Sequence, residues 1–110
     1  MKSFFITLFF SLFISNAYAQ NNFETQATEI TEKMTEVLSL NEELKANVYK
    51  IQLQRFQEVA SIREEYKDDP QTRKAELKKV FNRLFGKLTK ALGKDNMQQW
   101  GDYKREIGRE

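Results

Sequence analysis

The stretch Tyr66-Lys67-Asp68-Asp69-Pro70-Gln71-Thr72 lies between two long helical patterns, and its reading decides the fold. A residue before proline avoids helical geometry, while proline suits the first position of a new helix. Asp69 is placed to cap that helix. Either one helix bends through Pro70, or one helix stops and a second starts. Stop and cap signals occur together, so the break is the favoured reading.

Upstream, Leu44, Val48, Ile51, Val59, Ile62 and Tyr66 recur at helical spacing on a helix running from Glu42 to about Lys67. Asn41 suits its cap, and Glu42 and Glu43 suit its positive end. Tyr49, Leu53, Phe56 and Ala60 form a second apolar face. A helix packed on one side does not need both faces, so the second is either an interface, with another chain or within this one, or is left open to a client. Arg55 falls within the main stripe, where burial is costly. It either snorkels to solvent or pairs with an acid across a dimer.

Downstream, Leu77, Val80, Phe81, Leu84, Phe85, Leu88, Ala91 and Leu92 line a broad stripe, and Gly93 ends the helix. Two such helices around a tight turn form an antiparallel hairpin. A shorter helix, from about Phe23 to Leu38, precedes it, with Phe23, Ala27, Ile30, Met34 and Val37 on one face. A last one, from about Lys94 to Ile107, gathers Met97, Trp100, Tyr103 and Ile107, which should anchor it to the hairpin. The expectation is an all-α fold: an antiparallel helical hairpin with additional N- and C-terminal helices, assembled as a homodimer.

Residues 1–19 read differently. Lys2 is followed by an apolar run, Phe4 to Ile14, broken only by Thr7 and Ser11, and then by Ala17-Tyr18-Ala19. Charge, apolar core and small-x-small is the pattern of a cleavable signal peptide. The run is about half of the roughly 20 residues a spanning helix needs. Cleavage after Ala19 leaves residues 20–110 as one small helical domain, periplasmic or secreted, without stable membrane insertion.

The chain has neither His nor Cys. It therefore lacks the usual general base, the thiol nucleophile and the common zinc ligands. Ser39 and Ser61 have no Gly-rich turn beside them, so enzymatic activity is not expected, nor is any cofactor or metal. Glu64, Glu65, Asp68 and Asp69 cluster at a helix end but lack calcium-loop spacing. No nucleic-acid motif is present.

Charge is divided unevenly. Residues 20–69 carry six Lys or Arg against eleven Asp or Glu, and residues 70–110 carry eleven against five. Lys79, Arg83, Lys87 and Lys90 share one face of the third helix. That face is either a solvated surface favouring antiparallel pairing of the halves or a basic surface for acidic clients or anionic lipid heads. With Tyr49, Leu53 and Phe56, these four cations are the candidate client- or partner-binding residues.

Two helix junctions carry a resemblance. Leu40-Asn41-Glu42-Glu43-Leu44 and Leu92-Gly93-Lys94-Asp95-Asn96 look like degenerate copies of the Leu-Thr-x-x-Gln motif that occurs twice in Spy/CpxP-like periplasmic proteins. The motif makes sense as a capping box, with Thr capping and Gln reaching back. The first copy keeps Leu40 and a capping side chain in Asn41, with Leu44 in the Gln position. The second keeps Leu92 and an amide in Asn96, with Gly93 in the Thr position. The spacing between the copies is shorter than in the best-known members. The resemblance implies an extracytoplasmic, ATP-independent chaperone or envelope-stress adaptor that binds unfolded or partner proteins on basic and apolar helical surfaces. Relatives that bind metal use His or Cys, which this chain lacks.

Overall fold

The computed structural model describes residues 22–108, and these form four helices with no strand among them. The signal-peptide expectation for residues 1–19 lies outside the described residues. We number the helices α1 (22–38), α2 (Glu42–Glu65), α3 (Pro70–Leu92) and α4 (Lys94–Ile107). No helix among the described residues is long and apolar enough to cross a membrane.

Each junction is built from local hydrogen bonding. Helix α1 ends at Ser39, which takes a left-handed φ of 55°. The Leu40 N–H then donates to the Thr35 carbonyl at 3.2 Å, the six-to-one bond of a Schellman turn, and Leu40 packs back on the core. Asn41 Oδ1 accepts from the Leu44 N–H at 2.8 Å and starts α2. At the decisive turn, Asp69 accepts from the Thr72 N–H (3.1 Å) and from the Thr72 hydroxyl (2.7 Å), with Pro70 in the first turn of α3. Arg73 donates to the Lys67 carbonyl at 3.0 Å and so ties α3 to the end of α2. The helical run is interrupted over residues 66–69, and α3 starts at Pro70.

Across that turn, Glu58 pairs with Arg83 and Gln54 with Lys87, both at 2.8 Å. A four-residue step back along α2 thus matches a four-residue step forward along α3, so the two helices run antiparallel. Met34, Leu38, Val48, Leu88, Leu92, Met97 and Trp100 form the buried core, with Ile30, Val37, Leu40, Leu44, Ile51, Leu84, Ala91 and Tyr103 around it. This core draws on all four helices and sits at the end of the hairpin remote from Pro70. Trp100 stacks on Tyr103 with 5.4 Å between ring centroids, and Gln99 donates to the Val37 carbonyl at 3.1 Å. The stack lies within α4, while the Gln99 bond, with Met34, Leu38, Met97 and Trp100 in one core, holds α4 to the end of α1.

Three expectations are corrected. The buried line of α1 is Ala27, Thr31, Met34 and Leu38, with Phe23, Ile30 and Val37 only half-buried. Gln52, a polar residue absent from both α2 stripes, is 1% exposed, and its Nε2 donates to Met34 Sδ at 3.5 Å. Phe81 (41% exposed), Phe85 (60%) and Ile107 (49%) are not core. Helix α2 covers one edge of the α3 stripe. Leu88 and Leu92 are buried at its C-terminal end, while Phe81 and Phe85, nearer the hairpin turn, border open space.

The second motif copy also departs from a capping box. Gly93 has φ 88° and ψ 163°, a conformation open essentially to glycine alone. Helix α4 has no side-chain cap. Asn96 Nδ2 donates instead to the Leu92 carbonyl at 2.8 Å, closing the end of α3.

Candidate functional site

Tyr49, Leu53 and Phe56 are half-buried. Tyr49 lies in a groove beside Thr28 and Thr31 of α1, and Phe56 lies beside Phe23 and Gln26 of α1. Tyr49 and Phe56, on the second apolar face of α2, therefore border grooves shared with α1 of the same chain. Lys79, Arg83, Lys87 and Lys90 are exposed along α3. Lys79 pairs with Glu76 on its own helix, while Arg83 and Lys87 reach across to Glu58 and Gln54 of α2. At 100° per residue, Glu58 and Phe56 point about 160° apart around α2. The apolar and basic halves of the sequence-derived site are thus on opposite sides of that helix and do not form one surface. The ion pairs are exposed, and such pairs contribute about 0–1 kcal/mol each.

A different set of residues converges. One groove, between the start of α1 and the middle of the hairpin, is lined by Phe23, Phe56, Val59, Ala60, Arg55, Arg63, Glu64 and Phe81. A second, between α1, the hairpin and α4, is lined by Ile30, Leu84, Phe85, Trp100, Lys104, and again Arg55 and Phe81. The two grooves meet at Arg55 and Phe81. Together they make a cleft floored by α2 and α3 and walled by α1 and α4. Its lining is mainly aromatic and aliphatic, with three cations and one carboxylate.

Arg55 is the unusual member. It is half-buried, and its guanidinium carbon stands 4.1 Å from the centroid of the Phe56 ring and 5.8 Å from that of Phe81. Among the described residues it has no hydrogen-bond acceptor and no carboxylate within ion-pair distance. Glu58, at the i+3 spacing that permits a helical ion pair, gives its carboxylate to Arg83 instead. Burial pulls the Arg55 pKa below the ordinary arginine value, yet a guanidinium remains charged in neutral solution. At the other end of the cleft, the Lys104 ammonium stands 5.9 Å from the Trp100 ring centroid.

This arrangement suits binding of a ligand that buries apolar groups and offers negative charge. Among the described residues, no group of three or more His, Cys, Asp or Glu is placed to hold a metal. The sequence did flag Arg55, as a charge inside an apolar stripe. Phe81 and Phe85 were missed as site residues, because their spacing is equally that of core.

The fold and cleft define an all-helical protein with an open apolar groove. The chain belongs to the family described as a domain of unknown function, DUF4890, whose match covers residues 15–106 and so all four helices except the last residue of α4. No curated protein matches the chain. No solved structure matches it either.

Proposed function

We propose that this protein is an exported, ATP-independent chaperone-like or envelope-stress adaptor protein, akin to the Spy/CpxP-like proteins it resembles. It binds apolar segments of unfolded or partner proteins in the cleft between α1 and α4. The observation that carries this reading is the exposure of Phe81 and Phe85, at 41% and 60%, on the floor of a cleft that also holds cations. Exposed aromatic side chains beside positive charge supply weak, sequence-tolerant contacts, and the charge speeds encounter. The reading involves no catalytic group and no cofactor. Export through residues 1–19 and assembly as a homodimer belong to the same proposal.

The test is suppression of light scattering by the chain from Gln20, which contains all four described helices. It uses two unrelated aggregating clients and no ATP. Protection of both at near-stoichiometric ratios is expected, and the pair Phe81→Ser with Phe85→Ser should abolish it while the helical signal stays intact. Protection of neither client would replace this reading with that of a structural or regulatory subunit for one dedicated partner. Protection that survives the double substitution would move the site elsewhere on the molecule.

A further inference from the structure

The geometry points to a specific preference of the cleft: it takes an apolar peptide segment with one carboxylate side chain near its middle, and Arg55 is the residue that receives that carboxylate. This rests on the reading of the cleft as a polypeptide-binding site and names the chemistry of its ligand.

Three observations combine. First, the Arg55 guanidinium is half-buried against Phe56 and Phe81 and has no acceptor among the described residues. A guanidinium carries five N–H donors in a fixed fork that matches a carboxylate, and partial burial makes unfilled donors costly. The nearest helical acid, Glu58, is held by Arg83 at 2.8 Å. Second, the cleft is electropositive. Among the described residues, Arg55, Arg63 and Lys104 line it against Glu64 alone, so the charge complement comes with the ligand. Third, the cation is central. Phe23, Phe56 and Val59 lie on one side of Arg55, and Leu84, Phe85 and Trp100 on the other. A fatty acid carries its carboxylate at one end and would fill a single lobe. A peptide with an acidic residue flanked by apolar ones fills both lobes and still presents its charge to Arg55.

The experiment uses a fluorescein-labelled peptide of apolar residues with one central Glu, and its isostere with Gln in that place. Binding is read by anisotropy and by the emission of Trp100, the only tryptophan. The Glu peptide should bind about tenfold more tightly than the Gln peptide, in keeping with a charge-assisted pair in a partly dry site. Arg55→Met keeps the apolar stem and should bind both peptides alike, at the Gln-peptide level. Arg55→Lys should restore part of the difference. The Glu/Gln contrast in the unaltered protein needs no variant, so it decides the matter even where a substitution fails to fold. Equal binding of the two peptides would overturn the carboxylate preference while leaving the cleft as a peptide site. A tenfold preference that persists in Arg55→Met would overturn the assignment to Arg55. If neither peptide binds but unfolded clients are still protected, this inference fails and the proposed function stands. If clients are not protected either, both fail.

Discussion

Gln52 is 1% exposed, yet among the described residues its Oε1 has no hydrogen-bond partner, and its Nε2 reaches only a thioether, Met34 Sδ at 3.5 Å. Gln52→Met keeps the side-chain length and removes the amide. An unsatisfied buried polar group costs about 1–3 kcal/mol, and the sulfur contact that is lost is weak. Methionine also adapts to irregular gaps. The substitution should therefore stabilise the fold by about 1 kcal/mol or more, raising Tm by roughly 4–8 °C for each kcal/mol in a domain of this size. The assay is thermal and urea unfolding followed by far-UV circular dichroism. An unchanged urea slope would show that the compactness of the two end states has not moved. Thr31 Oγ1 is likewise buried without a partner among the described residues, so Thr31→Val should act in the same direction, and the two effects should add. A lower Tm in Gln52→Met would refute the reasoning, because it would mean that the amide is satisfied in solution. Non-additivity beyond about 0.5 kcal/mol would mean that the two residues share a polar partner.

Asn41→Ala should cost about 1 kcal/mol, since it removes the 2.8 Å bond from the Leu44 N–H; an unchanged melting curve would count against that cap. Ser39 and Gly93 both have positive φ; left-handed geometry costs a side-chain-bearing residue about 1–2 kcal/mol, and the extended positive-φ region of Gly93 costs one about 1–3 kcal/mol. Ser39→Gly should therefore raise Tm and Gly93→Ala lower it, and either shift with the opposite sign would contradict the turn geometry. The Thr72 hydroxyl and N–H hold the Asp69 carboxyl below the ordinary aspartate pKa. A depressed folded value means that this stabilisation is fully present above the unfolded aspartate pKa of about 3.9 and is lost as pH falls through the lower folded value. The Tm gap between the unaltered chain and Asp69→Ala should thus be widest at neutral pH and narrow in acid. A gap that does not change with pH would remove the carboxylate from the explanation.

Local signals determined the helices. Periodicity at three and four residues, Asn41, the Asp69-Pro70 pair and Gly93 each act over one or two turns, so their meaning is contained in the chain itself. The break at Pro70 was legible for the same reason. Arg55 was legible as an anomaly, because a charge within an apolar stripe needs an explanation wherever that stripe points.

What covers each apolar face was settled by the tertiary structure alone. The sequence shows a second stripe on α2 but not that α1 of the same chain borders it at Tyr49 and Phe56, because periodicity along one helix does not name its neighbour. It cannot distinguish Leu88 from Phe85 on one continuous stripe; Leu88 belongs to the core formed with α4 and Phe85 does not. Nor can it show that Gln52 and Thr31 are buried, since polarity points the other way and only neighbouring helices enclose them. Burial is a property of three-dimensional neighbours. The cleft that carries the functional reading is made of residues whose neighbours are missing on one side, and periodicity along a single helix has no means of recording that.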